Sequence, residues 1–338
     1  MNKKLVGLAA GLLMAAGSAS ADTRLIVNCF WPPQHDVCSK LLPDWLDAVE
    51  EATDGRVRGN IPPKSVAPPA EQLASVEKGI VDVAVQFNGL IGNRVSGPLV
   101  AMQPFSGIDN APVLSQALWE TREKFFADEF DTVELLSMWT ISPGLLFSGT
   151  DTPIITVEDF ASRKMWALPG PLAAMATALG AAVVASPAVQ SNEFIANGVV
   201  DSHLGLNGDA IKAFQIAPYV NSMTRFSSPV YTTSFSLVMN KDKWAEISPE
   251  DQAAIMELSG PAFGMIAGGS WDRTAAEVMA SFPDLGISVV DADPALEAAL
   301  MDAAAPITAK WFEAAASNGI DGEAALAFYR QRVAELSK

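Results

Sequence analysis

Apolar residues recur along this chain in two alternating rhythms, one suited to short strands and the other to helices. Thr23-Arg24-Leu25-Ile26-Val27-Asn28 reads as a first strand, ended by Trp31-Pro32-Pro33. From Val37 to Ala52, Leu41, Leu42, Trp45 and Val49 fall at helical spacing, and Thr53-Asp54-Gly55 stops that helix. Val57 to Ile61 predicts a second strand, and Pro62-Pro63 and Pro68-Pro69 bracket a loop. A helix over Glu71 to Lys78 ends at Gly79, before a buried strand at Val81-Asp82-Val83-Ala84-Val85. Strand and helix alternating in this way predict an α/β domain with a largely parallel sheet.

The alternation then begins again. Lys164-Met165-Trp166-Ala167-Leu168 predicts a strand ended by Pro169-Gly170-Pro171, followed by an Ala-rich helix to Leu179 and a strand over Ala181 to Ala185. Another helix runs to Asn197-Gly198, with Val199 to Leu204 as the next strand. Gly79-Ile80-Val81-Asp82 and Gly198-Val199-Val200-Asp201 occupy equivalent helix-to-strand junctions, so two domains of similar construction are expected. Ser234 to Met239 reads as a return strand. Ser248-Pro249-Glu250-Asp251 is a helix start with an N-cap Ser and acids facing the positive helix end. The helix it opens is expected to run past Gly269 towards Phe282, with Ala295 to Ala316 as a last long amphipathic helix. The fold expected is two-domain α/β with a long connecting helix and a ligand cleft between lobes. Residues 22–145 with 236–265 form the first domain, 146–235 the second, and 266–338 are helices packing across both.

Before all this stands a targeting pattern. Lys3 and Lys4, an apolar run from Leu5 to Ala16 and Ala19-Ser20-Ala21 form the basic start, core and small-residue exit of a signal peptide over residues 1–21. The apolar run is too short to span a bilayer. The expected product is a periplasmic protein beginning near Asp22. A length of 338 residues exceeds what one core usually serves, in keeping with two domains. The formal net charge of −17 repels phosphate backbones and argues against nucleic-acid binding. Cys29 and Cys38 are the only cysteines, and in an oxidising compartment they either close a short loop as a disulfide or remain two buried thiols.

Several short stretches, in order along nearly the whole mature chain, resemble the substrate-binding proteins of TRAP transporters, the DctP type. Thr53-Asp54-Gly55-Arg56 resembles the family's Thr-Gly-Gly-Arg, and Gly79-Ile80-Val81-Asp82-Val83-Ala84 its Gly-x-x-Asp-x-Ala. Pro104-Phe105 is similar to Leu-Pro-Phe, and Pro153-Ile154 with Glu158-Asp159-Phe160 to Pro-Ile…Glu-Asp-Leu. Gly198-Val199-Val200-Asp201 matches Gly-Val-Val-Asp, and Val238-Met239-Asn240-Lys241 matches Val-Met-Asn-Lys. The resemblance implies capture of a small organic solute by hinged closure, delivery to TRAP membrane subunits, a monomeric protein and no cofactor. It also implies a Lys-Ile-Arg strand whose Arg clamps a carboxylate, and here Lys164-Met165-Trp166 puts Trp166 in that place. A second Arg that some members carry would fall near Leu145 or Leu146, and the Gln-Glu-Asn-Pro stretch becomes Ser202-His203-Leu204-Gly205.

An indole has one N–H donor and no charge, but offers a face that stacks on rings and attracts cations. The sequence therefore predicts an aromatic-lined cleft of Trp31, Phe87, Trp166 and Tyr231, with Asn88, His203 and Asn207 as polar selectors. The solute expected is neutral, aromatic or cationic, or a monocarboxylate held without an Arg clamp. Trp139 is assigned to core or cleft floor, and Trp45, Trp119, Trp244, Trp271 and Trp311 to helix packing. No Gly-x-Ser-x-Gly elbow or phosphate loop is present, and His35 and His203 lack zinc-ligand spacing, so neither an enzyme nor a metal site is expected. A periplasmic receptor that signals its ligand rather than importing it is the alternative function.

Overall fold

The structure is a computed structural model that describes residues 23–338; the expected signal peptide lies outside the described residues. The strands are β1 (Thr23–Asn28), β2 (Val57–Asn60), β3 (Val83–Phe87), β4 (Val133–Thr140), β5 (Leu145–Ser148) and β6 (Lys164–Ala167). They continue as β7 (Ala182–Ala185), β8 (Ser202–Leu206), β9 (Ser222–Arg225), β10 (Ser234–Asn240) and β11 (Ser288–Asp291). The first helices are α1 (Leu42–Ala52), α2 (Gln72–Glu77), α3 (Ala111–Phe125), α4 (Val157–Ala161), α5 (Pro171–Ala178) and α6 (Ser191–Ala196). The remainder are α7 (Gly208–Ala213), α8 (Lys241–Ala245), α9 (Pro249–Glu257), α10 (Gly260–Ala280), α11 (Pro294–Ser317) and α12 (Gly322–Leu336).

Two mixed sheets define two lobes. The first runs β2-β1-β3-β10-β4 and the second β11-β9-β5-β8-β6-β7. In each, parallel strands flank a returning antiparallel one: β10 between β3 and β4, and β5 between β8 and β9. The chain crosses between lobes through residues 141–144 and 226–233. The C-terminal segment is not purely helical as expected, because β11 adds a parallel edge strand beside β9. Its last two helices divide their packing, α11 against α5 and α12 against α3.

The matched sequence stretches are turns and caps. Helices α2 and α6 end alike: Gly79 and Gly198 have φ of 65° and 67°, and each following amide reaches back five residues, Ile80 to Ser75 and Val199 to Phe194. That double closure uses the conformational freedom of glycine just past a helix end. Asp82 accepts the Ile26 amide at 2.7 Å and so ties β3 to β1. Asp159 forms a capping box with Thr156 at the start of α4, and Asn240 caps α8 by accepting from the Lys243 amide.

The helix expected to run unbroken from Ser248 towards Phe282 is instead two. Gly260 sits at φ +50°, outside the helical range, and Pro261 follows in the first turn of α10, where its missing N–H costs nothing. The break lets α10 leave in its own direction and touch both lobes, α3 and β4 on one side and α7 on the other. It approaches at backbone distance: a Cβ on Gly268 would lie 2.8 Å from the Ala111 carbonyl carbon, and one on Gly264 2.5 Å from the Met138 carbonyl oxygen. Gly269, one residue on, would meet nothing closer than 3.6 Å.

This contrast gives a matched test of the contact. Gly268→Ala should lower stability by about 1–3 kcal/mol through overpacking. Gly269→Ala should be neutral or stabilising by up to about 1 kcal/mol, since alanine favours the helix. Urea melts of both variants check this; equal stabilities would contradict a close α10 contact.

Candidate functional site

A cavity lies where the two lobes meet, with about 610 Å³ of atom-free space, part of it continuous with solvent. The first lobe supplies Phe30, Trp31 and His35 from the loop after β1, Phe87 from the end of β3, and Thr233 and Phe235 from the start of β10. The second supplies Leu168, the segment Pro187 to Val189, Leu206, Asn207, Asp209 and Phe214. Helix α10 adds Trp271. Strand ends and the loops after them form both walls, which is where open α/β sheets place ligands.

The aromatic rings brace one another. Trp31 stacks on Phe30 with centroids 3.8 Å apart, and Phe235 lies 5.2 Å from Trp31, 5.4 Å from Phe87 and 6.0 Å from Trp271. Trp139 is fully buried behind Phe235 and belongs to the core. The wall loop is fastened at its base: Cys29 and Cys38 are joined as a disulfide, with Cα atoms 5.7 Å apart, around Phe30, Trp31 and His35.

Three of the residues singled out in the sequence, Trp31, Phe87 and Asn207, come together in the wall. The others do not line it. Trp166 is fully buried in the middle of the second sheet, and its indole N–H donates to Ser186 Oγ at 2.8 Å. Ser186 opens the Pro187–Val189 segment, so Trp166 positions the wall from behind. His203 packs against Trp166 with centroids 5.8 Å apart and is likewise buried. Asn88 is locked inside the first lobe, donating to Ser234 Oγ at 3.1 Å and accepting from Ser236 Oγ at 2.8 Å. The Tyr231 hydroxyl is buried without a partner, and burial pushes its pKa upwards. Asn207 spends its side chain locally, capping α7 through the Ala210 amide and donating to Ser142 Oγ at 2.9 Å.

Five wall residues that bear on the site were missed as candidates. Trp271 has the helical spacing of a packing residue, and only the approach of α10 to both lobes turns it towards the cavity. Phe235 lies on the return strand β10 and Phe214 just after α7, and no sequence signal sets either apart. His35 and Asp209 lie 174 residues apart in sequence, yet His35 Nε2 and Asp209 Oδ2 meet at 3.1 Å across the lobes. The Val37 amide donates to His35 Nδ1 at 3.2 Å, which leaves Nε2 to carry the hydrogen donated to Asp209.

Charge is scarce in this site. Among the described residues no Lys or Arg lines the cavity, and Asp209 is its one carboxylate. Three donors at the wall have no protein partner among the described residues: the indole N–H groups of Trp31 and Trp271 and the buried Thr233 hydroxyl. The geometry is a largely apolar, aromatic-lined cavity between two lobes, the kind of place where small ligands commonly bind.

Comparison with known proteins agrees. The family model for bacterial extracellular solute-binding proteins, family 7 (DctP), matches residues 27–315, and the chain belongs to this family. Solved structures of TRAP solute-binding proteins resemble this chain. A TRAP solute-binding protein from Bordetella bronchiseptica, with bound (R)- and (S)-mandelate, is 32% identical with a TM-score of 0.85, covering 93% of this chain and 99% of that one. One from Rhodoferax ferrireducens, in complex with copurified benzoate, shares the fold at 24% identity and a TM-score of 0.83, covering 93% and 98% of the two chains. A curated relative from Comamonas testosteroni, named outer membrane transporter protein TsaT, is 34% identical over 321 residues, 94% of each chain.

Burial holds the His203 imidazole down to about 4, with the Ser191 backbone pulling weakly the other way. As pH falls from 6.5 to about 4, the unfolded chain takes up a proton here that the folded protein refuses. Stability attributable to this histidine is therefore present above pH 6.5 and is lost as pH falls, by about 3 kcal/mol. Asp272, pushed up to about 6 by burial, works in the opposite sense over an overlapping window, so a comparison isolates the histidine. Urea midpoints from pH 7 to 4.5 should fall more steeply for the natural protein than for His203→Leu; parallel slopes would contradict a neutral, buried ring.

Proposed function

We propose that this protein is the extracytoplasmic solute-binding component of a TRAP-type transporter and that its solute is a small aromatic acid. The observation that carries this reading is the cavity wall: rings on the first lobe and α10, apolar residues and Phe214 on the second, and no Lys or Arg. A succinate-like dianion entering such a site would lose its water shell and gain no countercharge, a cost of several kcal/mol per ion. A benzoate-like solute instead buries a ring, and each aromatic contact adds about 0.5–1.5 kcal/mol beyond area burial. Its single carboxylate then takes the unpaired donors of Trp31, Trp271 and Thr233, since hydrogen bonds to an ionised group contribute about 1.5–3 kcal/mol each. The mandelate-bound relative at 32% identity supports the same class of solute.

Capture proceeds by closure. Separated lobes admit the solute, and its simultaneous contact with both walls favours the closed form by the differential affinity of the two states. The closed, monomeric protein is then the form that membrane subunits recognise in the periplasm. A second reading, an aromatic ammonium solute, has one observation in its favour: a carboxylate stands in an aromatic wall that contains no fixed cation.

Calorimetric titration of the mature protein separates these readings. Benzoate or mandelate should bind with a Kd in the micromolar range, near the −8 kcal/mol that range represents, and succinate about 100-fold more weakly or not at all. Tight succinate binding without aromatic-acid binding would overturn the proposal, and phenethylamine binding alone would install the second reading. Trp271→Ala should weaken the aromatic acid at least about 10-fold, by loss of both a ring face and a donor. Trp166→Phe should lower stability by about 1–3 kcal/mol with a smaller effect on affinity.

A further inference from the structure

We propose that Asp209 is a specificity-determining residue: its carboxylate receives a hydrogen-bond donor carried on the solute's ring and rejects a second anionic group at that position. The inference rests on the aromatic-acid reading above and adds the substituent that the site selects.

Asp209 is the second residue of α7 and is only 6% exposed, while His35, from the opposite lobe, is 4% exposed. Both line the cavity. One oxygen, Oδ2, lies 3.1 Å from His35 Nε2. The other, Oδ1, takes no hydrogen bond from the protein among the described residues. His35 cannot turn its other nitrogen to the solute without giving up the Val37 amide. Trp31 and Trp271 hold its ring in place with centroids 5.2 and 5.6 Å away.

Asp36, beside His35, accepts from Thr274 Oγ1 at 3.2 Å on α10. Lys40 and Lys212, the basic residues of the adjoining segments, are exposed to solvent. Asp209 therefore keeps an acceptor oxygen at the wall of a narrow, largely apolar cavity, and a solute that displaces water from it must bring a donor of its own. A ring hydroxyl or amino group supplies one. A second carboxylate would bring two anions together between low-dielectric walls, where screening is weaker than in bulk water.

The test is a titration series on the mature protein and on Asp209→Asn, a replacement that leaves an amide oxygen for His35 Nε2–H. The ligands are benzoate, its three monohydroxy isomers and the three benzenedicarboxylates, with thermal melts to show that the variant is folded. In the natural protein at least one hydroxy isomer should bind about 10- to 100-fold more tightly than benzoate, the worth of one hydrogen bond to a charged group. The dicarboxylates should not bind. In the variant the hydroxyl preference should fall to a few-fold, benzoate should bind more tightly because a negative charge has left the cavity, and at least one dicarboxylate should gain measurable affinity. Should Asp209→Asn be unstable, Asp209→Ser is the second variant and carries the same expectation for the ratio of affinities. A hydroxyl preference that survives substitution, or equal losses for benzoate and its hydroxy isomers, overturns this inference alone. Failure of every aromatic acid to bind the natural protein overturns the aromatic-acid reading and this inference with it.

Discussion

Helix α10 touches both lobes at backbone distance, and the position of every wall residue depends on that contact. Gly264 and Gly268 let it settle on Met138 and Ala111 of the first lobe, while Gly208 at the start of α7 meets the backbone of Ala275. Any side chain at these three places would push the helix away from one lobe or the other. The same seating turns Trp271 into the cavity, where it stacks with Phe235 and lies tilted against His35. The crossing segments are close-packed too: a Cβ on Gly144 would fall 2.7 Å from Gly205 Cα. The first lobe, the second lobe and the helix between them thus define one chamber.

What that chamber can hold follows from what it lacks. A fixed guanidinium would make charge the main term in recognition, and selection would then turn on the number and spacing of carboxylates. Without one, apolar burial and ring contacts set the affinity, and the few polar groups set orientation. Trp31, Trp271 and Thr233 supply donors, while Asp209, steadied by His35 across the cleft, supplies an acceptor. Donors and acceptor, set among aromatic rings, are the features on which the proposed aromatic-acid solute rests.

The fold was legible in the sequence and much of the site was not, for one physical reason. Turns, caps and buried strands are local: Gly79 and Gly198, the Thr156–Asp159 box and the Asn240 cap carry their geometry within a few residues of chain. The ordered stretches that mark the family are of this kind, so they report architecture and say little about solute. Trp31 and Phe87 were legible because they follow strands whose ends must face the other lobe. Trp166 occupies the position implied for a clamping Arg, yet its indole turns to Ser186, a partner no spacing rule reveals. Trp271 shows the opposite case, a residue with packing periodicity that tertiary contact puts in the wall. His35 and Asp209 meet only because two lobes close on each other, and no local pattern encodes that meeting. The helix break at Gly260-Pro261, by contrast, is local, and apolar periodicity on either side of it masks the two residues that cause it.

The most direct test of a cation-free aromatic chamber is a crystal structure of the mature protein with 3-hydroxybenzoate. The ring should lie between the Trp31–Phe235–Trp271 wall and the Leu206–Phe214 wall, with its carboxylate on indole and hydroxyl donors and no Arg or Lys in contact. A ring bound outside the inter-lobe cavity, or a carboxylate held by a guanidinium or ammonium group, would contradict the account.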